Sequence, residues 1–437
     1  MRHANRERRA THDANRPLSN WPAARPRPVR FPHEHRWVTR PGDRVRRQRR
    51  RKSMAAAATT CGKIITALLV ALLSFLIAQL SNYEGRSNTP APPEAIPIWK
   101  KSDLTIFNRI IEYMFPLIAP VGSMVKCPVA DDSIDPHCME KARSAIKGGS
   151  AGPWQTMLDA GNHRETVIVI DDGKEESNGR PPLELVLVQP INATASELAN
   201  LPLIVWLHGG GFVTGAARDS YMLGLMQGLA EKGNIPYDKV VWASIEYPLA
   251  PEYKYPAAPD ACLRAIQYLI REYQLIDDNN DNNAEGASIR LGGGGLHIGG
   301  ASAGATLSLI VGQRAIQEGI RIDSLLLDTL VLPIPADQRG DSSPSVFDSP
   351  SYRRNFYTRV PPVDWSNWFV AALTGCETSD ANKSQQCRQD VFAGNTLSAE
   401  HWRQLTDLPP VVVVTDTGCT FRDTALPFIE MYKSLAG

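Results

Sequence analysis

From about residue 164 to residue 435 the chain repeats one pattern. Short apolar runs, rich in β-branched residues and closed by Gly, Pro or Asp, alternate with longer stretches of helical periodicity. The runs are Val167–Ile170, Leu183–Val188, Leu203–Leu207, Val240–Ile245, Leu325–Leu332 and Val411–Thr415. Near-continuous runs of this kind predict strands buried on both faces. Between them, Tyr221–Lys232, Pro259–Tyr273, Ala303–Gly319 and Thr424–Leu435 predict helices. The alternation predicts an α/β fold, a mostly parallel central sheet with helices on both faces. The first two runs lie close enough for a hairpin, an antiparallel start to the sheet.

Upstream the pattern is different. Residues 1–53 are rich in Arg and Pro without apolar periodicity, which predicts a disordered basic segment. Residues 54–80 then run for 27 positions with Lys63 as their single charge, long enough to cross a bilayer. The cationic run Arg44–Lys52 on its N-terminal side predicts a cytosolic N-terminus and a lumenal body. With translation from Met54, the same segment reads as a signal peptide or short signal anchor. A Pro/Ser-rich linker occupies 81–97, and 98–437 form the folded body. Leu104–Val125 is an apolar segment broken at Pro116, suited either to covering a site or lying on a membrane, or to a core helix. With residues 340–375, rich in aromatics and prolines, the region of about 98–160 predicts a helical cap.

Charge sharpens this division. Residues 1–53 carry 17 Arg/Lys against four Asp/Glu, leaving 30 basic and 42 acidic residues in the remainder. The flanking apolar segment accounts for the basic head as a membrane-topology signal, so no nucleic-acid partner is expected. Among the seven cysteines, Cys127/Cys138 and Cys376/Cys387 form two local pairs in polar, loop-like sequence, which predicts disulfides in an oxidising compartment. Cys262 falls in a predicted buried helix and is expected reduced. Neither pair has CxxC spacing and no histidine cluster completes a zinc site, so no metal is expected. The sequons Asn192-Ala-Thr194 and Asn382-Lys-Ser384 fit a lumenal body. The run Gly292–Gly295 lacks the lysine and spacing of a phosphate loop and reads as a surface insertion.

The chemistry lies in two strings, His208-Gly209-Gly210-Gly211-Phe212 and Gly300-Ala301-Ser302-Ala303-Gly304. The second is a G-x-S-x-G turn between a strand (Leu296-His297-Ile298) and a helix, which lifts Ser302 to the tip as a nucleophile. The first follows a strand, and its glycines let backbone N–H groups approach a reacting centre. Gly210, Gly211 and Ala303 are the expected oxyanion donors; His208 is expected to anchor the loop, with Gly209, Gly300 and Gly304 supporting the geometry. Serine with oxyanion donors is apparatus for acyl transfer and needs no cofactor.

With Glu246-Tyr-Pro-Leu-Ala-Pro-Glu252 and Tyr255-Pro-Ala-Ala-Pro-Asp-Ala-Cys262, these strings resemble the hormone-sensitive-lipase-like branch of the α/β-hydrolase superfamily over roughly residues 165–435. Pro248 stands where that branch has an arginine. The resemblance implies the α/β-hydrolase fold and carboxylic-ester hydrolysis through an acyl-enzyme at Ser302. The expected substrate is a small apolar ester or acetylated molecule. The anchored arrangement is similar to arylacetamide deacetylases and fungal steryl-acetate hydrolases. Two departures stand out. Cys419 occupies the position of the family's catalytic aspartate, leaving Asp416 as the nearest candidate acid, with Asp423 as a second. The family's histidine follows that aspartate by about thirty residues; none follows His401 here, and His297 and His401 lie in the wrong context. Two expectations follow for the chain as written: a truncated active hydrolase, or a non-catalytic binding protein, as in the related plant gibberellin receptors.

Overall fold

The computed structural model describes residues 136–170, 183–233, 239–273, 293–334, 346–356, 363–376, 402–405, 408–416 and 419–436, with Pro93, Ala95, Cys127 and Ile235. Among the described residues the first elements are helix α1 (Pro136–Asp159) and strands β1 (His163–Ile170) and β2 (Leu183–Pro190). Helix α2 (Ala195–Asn200), β3 (Leu203–Leu207), α3 (Ser220–Glu231), β4 (Val241–Glu246) and α4 (Ala257–Tyr273) follow. Then come β5 (Leu296–Ala301), α5 (Ala303–Gln317), β6 (Ser324–Asp328), α6 (Pro350–Arg354), α7 (Val363–Thr374), β7 (Val411–Val414) and α8 (Leu426–Ala436).

The seven strands form one sheet in the order β1-β2-β4-β3-β5-β6-β7. β1 pairs antiparallel with β2 and β2 with β4; every later pairing is parallel. The predicted hairpin start and mostly parallel sheet are therefore both present. Parallel neighbours need crossover connections, and α3, α4 and α5 supply them. β3, whose five residues LIVWL alternate no polar position, lies mid-sheet and is almost entirely buried.

The core forms two clusters. The larger one packs Val205, Leu207, Ile298, Leu325 and Leu327 against α4 and α5. The smaller one gathers Trp206, Trp242 and Val188 with Met222 and Met226 of α3 and Trp154 of α1. α4 is amphipathic, and its inward side carries Ala261, Cys262, Ala265, Ile266 and Leu269. α5 is buried along most of its length, since it sits between the sheet and α4. Trp206 has no measurable exposure; its truncation to Ala is expected to cost about 3–5 kcal/mol.

Three elements depart notably from the sequence expectation. The strand expected over 325–332 ends at Asp328, because Thr329 takes φ +53° and turns the chain after its N–H bonds Val414 O. β1 starts earlier than its apolar run, at His163, because antiparallel pairing to Pro190 extends it. Helix α1 has no clear helical signal, containing Gly148, Gly149 and Pro153. Its burial of Met139 and Trp154 overrides weak local propensity.

The Cys127–Cys138 disulfide is formed. Cys376 is disulfide-bonded as well, its expected partner Cys387 lying outside the described residues. Cys262 is buried and free, as expected. The apolar segments 54–80 and 104–125 and the sequon at Asn382 also fall outside them. Among the described residues no helix is long and apolar enough to cross a membrane.

Candidate active site

The site is built where β3 and β5 end side by side. Leu207 pairs with Gly300 in parallel register, so the His208–Phe212 loop and the 300–304 turn leave the sheet together. Ser302 takes φ +55° and ψ −118°, a conformation that costs about 1–3 kcal/mol for a residue with a Cβ. The surroundings hold it there. Its N–H donates to Asp328 O at 2.8 Å, its carbonyl accepts the N–H groups of Ala305 and Thr306, and α5 starts at the next residue. Gly304 lets α5 approach β3: a Cβ there would lie 1.9 Å from Leu207 O. The Ser302 side chain is half-buried and makes no capping bond to the helix it begins.

The glycine loop lies against this elbow. A Cβ on Gly209 would lie 3.6 Å from Ser302 Cβ. Gly210 (φ +123°), Gly211 (φ +63°) and Phe212 (φ +67°) all have positive φ. Val213 and Thr214 N–H close the turn onto Gly210 O. At Gly211 two constraints coincide, since a Cβ would also enter the Phe369 ring of α7 at 2.5 Å. The N–H groups of Gly210, Gly211 and Ala303 find no acceptor among the described residues. Grouped beside Ser302, they are suited to an oxygen acquiring negative charge.

His208 is 1% exposed and stacks on Tyr247 with ring centroids 4.1 Å apart. Tyr247 Oη donates to His208 O at 2.7 Å, and His208 Nδ1 lies 2.8 Å from Gly209 O. This packing fits an anchor for the loop. Full burial raises the Tyr247 pKa well above the usual phenol value, so it remains a donor. Asp328, whose carbonyl holds Ser302, has its carboxylate engaged by the Tyr221 hydroxyl of α3. Burial, followed by this bond, raises the Tyr221 pKa.

The end of β7 is built differently. β6 separates β7 from β5, and Val414 pairs with Asp328. Asp416 is exposed two residues beyond the strand, its carbonyl accepting the Cys419 N–H. Cys419 is a free thiol whose pKa burial pushes up, so it supplies no negative charge near neutral pH. Asp423 is buried and paired to Arg422 Nε at 2.6 Å. The loop is pinned to α6: Asn355 Nδ2 donates to Cys419 O, Ser351 Oγ donates to Thr420 O, and Asp423 N–H donates to Ser351 Oγ.

Ser302, Gly209, Gly210, Gly211, Ala303, Gly300, Gly304 and His208 thus come together, whereas Asp416 stands apart at the end of β7. No described histidine faces Ser302 as a base. His297 lies five residues back along β5, about 16 Å away at strand rise, with Nδ1 on Ser324 Oγ. His163 opens β1 at the far edge of the sheet, His137 is exposed on α1, and His401 lies outside the described residues. Among the described residues no group of three or more His, Cys, Asp or Glu is placed to hold a metal. Phe369 had no signal in the sequence, because nothing local marks which residue of α7 will meet Gly211.

Among curated proteins, the chain is 29% identical to neutral cholesterol ester hydrolase 1 of Pongo abelii over 159 residues, 36% of this chain and 33% of that one. It is 28% identical to human hormone-sensitive lipase over 213 residues, 48% of this chain and 16% of that one. The matches therefore span a third or less of these relatives' lengths. A thermostable esterase from Pseudomonas putida is similar in structure, with TM-score 0.47 and 21% identity over 68% of this chain and 77% of that one. The profile of the α/β-hydrolase fold matches residues 204–437, the stretch that holds the glycine loop, the elbow and the β7 end, and the chain belongs to that family.

Proposed function

We propose that this protein is a serine carboxylic-ester hydrolase acting on an apolar ester or acetylated small molecule. Ser302 attacks the ester carbonyl, and the N–H groups of Gly210, Gly211 and Ala303 receive the developing oxyanion. Collapse of the tetrahedral species expels the alcohol and leaves an acyl-enzyme on Ser302 Oγ, which water then cleaves. The observation that carries this reading is Ser302 itself, held in a strained left-handed conformation against a three-residue positive-φ loop. Each donor is worth roughly 2.7–4 kcal/mol in a transition state of this kind. Phe369, against Gly211, gives the site an apolar wall and is backed by the edge-to-face contact of Trp368. The names of the relatives, a cholesterol ester hydrolase and a lipase, favour the same substrate class.

Asp416 is the proposed acid, since Cys419 is neutral and Asp423 is committed to Arg422. Among the described residues no histidine is placed as the base for Ser302. The neutral Cys419 thiol at the end of β7 favours a second reading, a hydrolase-like protein that binds a ligand without turning it over. The apolar segment 54–80 is proposed as a single-pass anchor that leaves this domain in the lumen; the Cys127–Cys138 disulfide fits an oxidising compartment.

The test is hydrolysis of p-nitrophenyl acetate by wild type and Ser302→Ala, with and without added imidazole as an external base. The enzyme reading expects turnover that Ser302→Ala removes, either unassisted or raised by imidazole. Equal rates for the two proteins under both conditions would leave the binding reading standing.

A further inference from the structure

Arg143, on α1, is only 9% exposed and lies 70 residues ahead of the loop it touches. Its Nε donates to Val213 O at 2.8 Å and its Nη2 to Ala250 O at 2.7 Å. Nη1 and Nη2 each reach the Glu252 carboxylate at 2.8 Å, a bidentate pair that neutralises the buried charge. Ala250 N–H in turn donates to Phe212 O at 2.9 Å. Phe212 and Val213 are the residues by which the loop returns from Gly210 and Gly211, and the Val213 N–H is bonded to Gly210 O. Val213 is therefore fixed at both its N–H, by Gly210, and its carbonyl, by the guanidinium.

We propose that Arg143 is a positioning residue for the oxyanion donors, acting through the carbonyls of Val213 and Ala250 to hold the Gly210 and Gly211 N–H groups in their outward direction. This rests on the reading of those glycines as donors. The fork geometry is essential to the role. A lysine at 143 keeps the charge and can bond one acceptor strongly, but it cannot span two backbone carbonyls and a carboxylate in one plane. Nothing in the local sequence marks Arg143, because it stands in a stretch without a motif and meets its partners only in the fold. The residue thus joins α1 to the glycine loop, about one and a half turns beyond Cys138 in the same helix.

The test compares wild type, Arg143→Lys and Arg143→Ala in three readouts: kcat and KM for Ser302-dependent p-nitrophenyl acetate hydrolysis, thermal midpoint, and amide hydrogen exchange over residues 209–214 without substrate. For Arg143→Lys the expected result is a folded protein with kcat lowered about 10- to 100-fold and KM changed less than about threefold, since donors act on the transition state. Exchange over 209–214 should quicken at least about tenfold while α5 and β3 keep wild-type protection. Millimolar guanidinium should restore part of the kcat of Arg143→Ala. An unchanged kcat with unchanged exchange in 209–214 would overturn the proposal, as would a lowered midpoint with kcat intact. If wild type shows no Ser302-dependent turnover, the donor reading fails by itself. Exchange then decides alone: faster exchange confined to 209–214 retains the clamp, and wild-type exchange there removes it.

Discussion

The ends of β5 and β7 sit two strands apart on one sheet edge, and they are finished to different standards. At β5 the Ser302 backbone is held by Asp328 O, the elbow packs on β3 through Gly304, and the donor loop abuts it. At β7 the loop is equally well pinned, to Ser351 of α6 and Asn355 just after it, yet the groups it presents are a neutral thiol, an ion-paired carboxylate and an exposed one. On the proposed reading, the nucleophile and oxyanion half of the site depends on backbone geometry, and its expected residues come together here. The proton-handling half depends on side-chain identity, and the position expected for its acid holds Cys419.

Ser302→Ala carries the largest expected effect on this comparison. Donors and binding without a working triad retain about 10³–10⁴ over water in comparable sites, and triad function adds to that. Ser302→Ala should remove the covalent route altogether, reading as loss of the Ser302-dependent rate to the buffer background in a p-nitrophenyl acetate assay. Gly211→Ala should come next. It imposes a Cβ at φ +63° and drives it into Phe369, so kcat is expected to fall about 10²–10³-fold as one donor swings away. Adding Phe369→Ala opens the space but leaves the backbone strain, so the double variant should recover only part of the loss.

The β7 end is expected to respond less, and selectively. Asp416→Asn should lower kcat about 10²-fold if Asp416 orients the base, while Cys419→Ser, a neutral group for a neutral group, should change it less than about threefold. Equal effects from both would dissolve the contrast between the two positions. Smallest for catalysis is the pair Cys127→Ser with Cys138→Ser. The disulfide closes a short loop, so its removal should cost about 3 kcal/mol in chemical denaturation with kcat within about threefold.

The chain's own letters disclosed the sheet and the elbow because both are local. Strand runs such as LIVWL and the GASAG and HGGGF strings carry their conformational demands within a few residues, and the structure brings them together as expected. The expected strand over 325–332 failed at Thr329, where a positive φ that no composition signals ends β6. Helix α1 was hidden by its glycines and Pro153, and with it Arg143, whose three acceptors come from segments 70 to 109 residues away. Phe369 was hidden for the same reason. Contacts between a helix and a distant loop are set by tertiary packing and leave no periodicity to read. Cys419 at the expected acid position was legible only through the family resemblance; what the structure adds is that burial keeps the thiol protonated and that Asp423 is paired to Arg422.

The central claim is that Ser302, in its elbow, is the group that becomes acylated. The most direct measurement is peptide mass spectrometry after reaction with an aryl phosphonofluoridate, imidazole being added as an external base. The account predicts one phosphonyl adduct per chain, on the peptide carrying Ser302, slowed about 10²-fold or more by Gly211→Ala and absent in Ser302→Ala. An adduct on another residue, or an unmodified Ser302 in folded protein under these conditions, would contradict it.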